Sequence, residues 1–381
     1  MQAAALGYYA AHLTKSATWT ALVAMGEFAP TALLGPIGGA IADRYSRRAI
    51  AIVTTLVQTV AALVMTLLMI NGQPGAPVIA LYALANGCMF ALGFPSLQSM
   101  TPEFVPTEEL SGAIGLSSAA WNLGRVIGPG IGAVIYSQLG IEWVLGFNTV
   151  SFVAVLGALS MIQVAKRPPN NTPIFASIAE GLRFIQREPG LRVTIQALVL
   201  NTLCISPFIG LIPAMNEKVF HGGSSNVSYM ITAQGIGAVI TGFAFAKLTR
   251  RYTLRRVFSG ALVVGPVVLI AYGLSPNVWF SIPTLLLTGA IYFAVMTCVN
   301  NVAQLRSPAE LRGRVLSTNQ VVLGSMYSVA LFAQGALGDV IGVRQVTIGG
   351  AVLSLVALAV LRVIRPNALA AIEHPASPAV H

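Results

Sequence analysis

The chain has 381 residues, of which 55% are hydrophobic and only 9% charged. Soluble domains carry about 25% charge, so this composition excludes a water-facing enzyme or binding module and leaves an all-α polytopic membrane protein. The net charge of +10 would suit a nucleic-acid partner, but the basic residues lie in short loops between apolar runs, and no nucleic acid is expected.

The first apolar run, Met1 to Leu13, is shorter than the about 20 residues that a span needs. It lacks the basic start and cleavage site of a signal peptide. The reading is a truncated first span, with Met1 an internal methionine and the inner half encoded upstream. Thr14 to Thr18 is an outside loop. Span 2 follows from Trp19 to Ala42 and span 3 from Ala49 to Ile70, with a Gly/Pro turn from Asn71 to Pro77. Span 4 runs from Val78 to Met100, span 5 from Leu110 to Leu139 and span 6 from Glu142 to Ala165. Between spans 4 and 5, Thr101 to Glu109 forms an inside loop.

Lys166 to Arg192 is the longest polar stretch. Thr172 before Pro173 suits a helix N-cap with proline at the first position. Ile174, Ile178, Leu182 and Ile185 recur at helical spacing, so an amphipathic helix along the inner surface is expected, ended by Pro189-Gly190. Six further spans follow: Val193 to Met215, Val227 to Leu248, Val257 to Leu274, Val278 to Val302, Val315 to Gly338 and Val346 to Ile364. The expected organisation is a bundle over 1–165, a cytoplasmic linker over 166–192, a second bundle over 193–365 and a disordered tail over 366–381. Outside loops hold only Lys15, Lys218 and Arg344; Arg125 lies within a span, and the other basic residues fall on the opposite side. Positive loops stay inside, so the C-terminus is expected in the cytoplasm and the protein in the cell (inner) membrane.

The halves repeat. Gly39 and Gly242 are 242 − 39 = 203 residues apart, and the same offset carries Arg44 to Lys247, Arg47 to Arg250 and Arg48 to Arg251. Asp43 lands on Ala246, so the second copy lacks the acid. Gly35 and Gly39 lie four apart on one helical face, which suits close approach of another helix. Gly39, Asp43, Arg44, Arg47 and Arg48 form the pattern G-x-x-x-D-R-x-x-R-R between two apolar runs. This pattern resembles the signature between helices 2 and 3 of the major facilitator superfamily. In span 5, Gly124, Gly128, Pro129 and Gly132 resemble the helix 5 signature common among that superfamily's drug exporters. Glu180 to Ile185, followed by Pro189 and Leu191-Arg192, resembles the middle loop of the branch that contains the enterobactin exporter and the transmembrane secretion effectors. The resemblance implies two six-helix bundles in parallel repeat, a rocking alternating-access cycle, and export of a drug-like or siderophore-like molecule. It also implies a monomer that is not an enzyme and uses no cofactor.

Two charges lie deep within spans. Glu27 is 16 residues before Asp43, and Arg125 is 15 residues after Leu110. At 1.5 Å per residue both sit about 22–24 Å from the inner ends. A charge at that depth needs a partner or a water-filled cavity. They form either a structural ion pair or, with Glu27 as proton acceptor, part of a proton-coupled antiport. Asn122, Asn86, Asn201, Asn300 and Asn301 are candidate polar wall residues, each also able to make an interhelical hydrogen bond. Many proton-coupled relatives carry an arginine four residues before the glycine matching Gly87, whereas this chain has Ala83. An importer, a uniporter or a non-transporting sensor stays open as an alternative. Cys88, Cys204 and Cys298 lie apart within apolar runs, and His12, His221 and His374 are too scattered for a metal site.

Overall fold

The computed structural model describes residues 1–100, 124, 128, 131–132, 134–162, 174–364 and 368–372, and every regular element among them is helical. The first elements are α1 (Gln2–Thr14), α2 (Ala17–Arg44), α3 (Arg47–Asn71), α4 (Ala76–Met100) and α5 (Ile141–Met161). Residues 134–139 are the helical end of the fifth span. The linker helix is α6 (Ile174–Arg187), and the seventh span comprises α7 (Pro189–Cys204) and α8 (Phe208–Met215). Then come α9 (Ser224–Arg251), α10 (Leu254–Gly273), α11 (Val278–Arg306), α12 (Ala309–Val340) and α13 (Val343–Ile364). Among the described residues, 10 segments are long and apolar enough to cross a membrane. Residues Met1–Ile174 with Gly210–Thr232 form one compact unit, and Phe175–Ile209 with Ala233–His381 form another. The loop from Thr101 to Glu109, most of the fifth span and the Thr172-Pro173 cap lie outside the described residues.

In the first unit the distribution of residues along α3 is that of a lipid-solvated helix. Val53, Leu56, Val60, Leu63 and Leu67 are exposed, whereas Thr54, Thr55, Thr59, Ala62 and Thr66 are buried. Hydrocarbon is as apolar as leucine, so burying large side chains gains little, and small residues let helices approach. The threonines satisfy themselves locally: Thr54, Thr59 and Thr66 donate to the carbonyls of Ile50, Thr55 and Ala62 at 2.8, 2.7 and 2.7 Å.

Helices α2 and α4 pack along each other. The close approach falls on Gly38, where an added Cβ would stand 2.5 Å from the Ala91 carbonyl oxygen, and on Gly26, where it would stand 2.9 Å from the Leu84 nitrogen. Gly35 and Gly39 face open space instead, contrary to the expectation from their spacing. One residue's shift turns the helix face by about 100°, which is why the two readings differ so sharply. In the second unit, α9 meets α11 in a similar way through Gly237 against Leu286 and Gly289 against Gln234.

Helix α2 runs two residues further than expected, through Arg44, and only Tyr45 and Ser46 separate it from α3. Asp43 therefore belongs to the last turn of α2 and not to the start of α3. The seventh span is not continuous. Its helix stops at Cys204 and restarts at Phe208, because Pro207 has no N–H to continue the ladder. Within the second unit Ile185 of α6 is buried with Phe258, Val299 and Val315, so the linker helix is docked against a core. Ala368–Ile372 forms a 3-10 turn, and Ile372 joins the same cluster.

Candidate functional site

One end of the first unit is built on the α2–α3 hairpin. Ser46 caps α3 by accepting from the Ala49 nitrogen at 3.4 Å. The next two side chains then reach sideways to neighbouring helix ends. Arg47 donates through Nη1 to the Ser99 carbonyl at 3.3 Å, in the last turn of α4. Arg48 donates through Nε to Leu159 at 2.9 Å and through Nη2 to Ser160 at 2.6 Å, the last carbonyls of α5. The last carbonyls of a helix lack intrahelical partners and carry its negative pole, so a guanidinium there is doubly favourable. Arg44 points into solvent. Asp43 places a carboxylate in the last turn of α2, where the helix dipole opposes it; its side chain lies outside the described residues.

Mid-span, Glu27 is half-buried on α2. The backbone carbonyls of Gly26 and Glu27 lie against Gly87 of α4. Arg125, Asn122 and Pro129 lie outside the described residues, so the Glu27–Arg125 pairing is untested. Asn86 is tied to α3: its Oδ1 accepts from Gln58 Nε2 at 2.7 Å. Asn300 is exposed, while Asn301 donates to its own helix at Thr297, 2.9 Å away. Gly132 and Gly128 face α1, with an added Cβ at 3.1 Å and 3.4 Å from Met1 atoms, whereas Gly124 faces open space.

Asn201 stands out among these asparagines. Its backbone carbonyl accepts from the nitrogens of Ile205 and Ser206, at 2.9 and 3.0 Å, and so ends α7. Its side chain is buried, and Nδ2 has no hydrogen-bond partner among the described residues; the same holds for the neighbouring Thr202 Oγ1. Such groups are costly unless something polar meets them. Broken spans of this kind are where transporters hold polar cargo.

A cluster at the end of the first unit opposite the α2–α3 hairpin was not foreseen from the sequence. Lys15, in the left-handed conformation after α1 (φ 52°), forms an ion pair with Oε1 of Glu217. His12 Nδ1 lies 3.3 Å from Oε2 of the same carboxylate and stacks on Tyr8. Glu217 belongs to a π-helical turn, Asn216–Phe220, that follows α8. This turn is fixed by Asn216, whose Nδ2 donates to the Gly222 carbonyl at 2.7 Å. Nearby, a Cβ added at Gly7 of α1 would stand 3.3 Å from Pro213 of α8. At the repeat offset of 203, Lys15 falls on Lys218 and not on Glu217, so the sequence carried no signal for this pair. In the second unit, Glu180 of α6 pairs with Arg314 of α12. The buried Glu188 caps α7 and accepts from Arg306 Nη1 of α11 at 2.8 Å.

A family profile described as "Transmembrane secretion effector" matches residues 1–379. Among curated proteins, the multidrug efflux pump Tap of Mycolicibacterium fortuitum is 27% identical, over 86% of this chain and 83% of its own. Macrolide efflux protein A of Streptococcus pyogenes is 21% identical, over 90% and 86%. The enterobactin exporter EntS of Shigella boydii is 25% identical, over 79% and 72%. Two solved structures share the fold. A bacterial homologue of the human lysosomal transporter Spinster matches with a TM-score of 0.67 at 13% identity, over 98% of this chain and 94% of its own. A POT peptide transporter matches with a TM-score of 0.76 at 11% identity, over 97% and 93%. With the hairpin signature, the helical architecture and a family match that runs almost end to end, the chain belongs to the transmembrane secretion effectors of the major facilitator superfamily.

Proposed function

We propose that this transporter exports a drug-like or siderophore-like small molecule across the cell membrane by alternating access, in exchange for protons. The observation that carries the reading is the similarity, along 79–90% of the chain, to three proteins named for efflux or export. The moving parts in this reading are the repeats 1–165 and 193–365, joined by the linker 166–192, with the C-terminus in the cytoplasm. The Lys15–Glu217 pair serves as the outer fastening. Asp43, in the last turn of α2, takes a basic or N-terminal helix partner when the inner side closes. Glu27 is the carboxylate that takes the proton, and Asn201 and Thr202 offer the cargo side-chain hydrogen-bonding groups that have no partner among the described residues.

The test is counterflow in proteoliposomes holding the purified protein, with a macrolide and a catecholate siderophore as separate cargoes and an imposed pH gradient. Expected is movement of one cargo class against the proton flux, lost in Glu27→Gln while the protein remains folded. Movement that ignores the gradient would remove the antiport part, and an absence of movement for either class would remove the export reading.

A further inference from the structure

An apolar groove of about 410 Å³ opens on the outer face of the second unit. Its floor is made of small residues, Gly260 and Ala261 of α10 with Ala290 and Ala294 of α11. An added Cβ at Gly260 would meet nothing within 4 Å. One end of the groove is polar, where Tyr252 and Arg256 join the lining. That end coincides with the most basic stretch of the chain: Lys247, Arg250, Arg251, Arg255 and Arg256 fall within ten residues, and no Asp or Glu occurs between Glu217 and Glu310. The first repeat carries Asp43 at the matching turn, and the second carries Ala246. Helix α9 has 28 residues, about 42 Å against a hydrocarbon core of about 30 Å. Its basic end therefore reaches the headgroup layer, while Gly260 and Ala290 lie at acyl depth.

We propose that this groove is a binding site for one anionic phospholipid, with an acyl chain on the Gly260–Ala290 floor and the headgroup phosphate at Arg256. The proposal rests on the inward placement of the α9–α10 turn and is independent of which cargo is carried. Each element answers a different part of the ligand. The methylenes gain little by leaving other lipid, but a groove fitted to one chain holds it in place. The phosphate is drawn by the exposed Arg256 guanidinium at the end of a basic stretch, worth about fivefold in affinity per basic residue near an anionic surface.

The experiment is native mass spectrometry of the full-length protein released from micelles holding equal phosphatidylglycerol and phosphatidylcholine. Wild type is expected to retain one phosphatidylglycerol in preference to phosphatidylcholine. Arg256→Gln should reduce that preference by about fivefold, and Arg256→Lys should keep most of it. Gly260→Leu should fill the floor and remove retention of both lipids, with an unchanged gel-filtration profile. Equal retention of the two lipids by wild type would overturn the proposal, as would retention by Gly260→Leu at the wild-type level. Displacement of the lipid by inorganic phosphate alone would also overturn it, since the groove would then hold no chain. Because the readout is lipid mass, a failed transport assay leaves this outcome untouched.

Discussion

Arg44 and Arg48 stand one helical turn apart in number but do different work. Arg44 is exposed, and Arg48 spans from the start of α3 to the last carbonyls of α5. Removing Arg48 deletes two charge-assisted bonds and leaves terminal carbonyls of α5 unmatched. Arg48→Gln is therefore expected to lower stability in detergent by about 2 kcal/mol, and Arg44→Gln by less than about 0.5 kcal/mol, as read from thermal unfolding followed by tryptophan fluorescence. Equal losses would show that the carbonyl bonds contribute nothing beyond bulk positive charge. The sequence made both arginines legible as topology markers, because charge in short loops needs no knowledge of the fold. It could not show that one of them is a helix cap, since its partners are more than a hundred residues away. For the same reason the Lys15–Glu217 pair was not visible in the sequence, since its members lie 202 residues apart.

At the scale of the element, apolar length places the described spans to within a few residues, and the hairpin between α2 and α3 to within two residues at each helix end. Two features escaped that reading. The break between α7 and α8 hides in an apolar run, since Pro207 can kink, end or merely start a helix depending on its neighbours. The contact face of α2 also escaped, because small residues occur at positions 35, 38 and 39 and spacing alone cannot choose among them. That choice gives a prediction of opposite signs. Alanine exceeds glycine in helix propensity by up to about 1 kcal/mol, so Gly39→Ala, whose methyl meets open space, is expected to hold or raise the unfolding temperature. Gly38→Ala places its methyl 2.5 Å from the Ala91 oxygen and 2.9 Å from the Leu92 Cα, forcing α2 and α4 apart, and is expected to lower it. The linker helix offers a parallel case. Gly181 of α6 lies where a Cβ would stand 2.8 Å from the Arg314 carbonyl. Gly181→Leu should undock α6 and speed tryptic cleavage at Arg183 and Arg187, while Leu182→Ala, on an exposed position, should leave the cleavage rate near wild type.

For the molecule as a whole, the alternating-access cycle proposed above requires that contacts at the end opposite the α2–α3 hairpin form and break once per cycle. The His12, Lys15 and Glu217 cluster is the place to look. It joins the turn after α1 to the turn after α8, the equivalent ends of the first and seventh spans. His12 and Lys15 are both largely exposed, so each bond is weak and screened by salt, as a contact that must open repeatedly should be. Simple neutralisation is then a mild perturbation: Glu217→Gln is expected to change the transport rate by no more than a few fold, without loss of folding. Holding the two ends together is a severe one. In a background with Cys88, Cys204 and Cys298 replaced by serine, the double variant Lys15→Cys, Glu217→Cys can be bridged by a short, reducible bis-thiosulfonate. The bridge should stop transport, and reduction should restore it; each single cysteine variant, treated in the same way, should keep its activity. A bridged protein that transports at the unbridged rate would mean that these ends stay together throughout the cycle. The outer gate would then have to lie elsewhere.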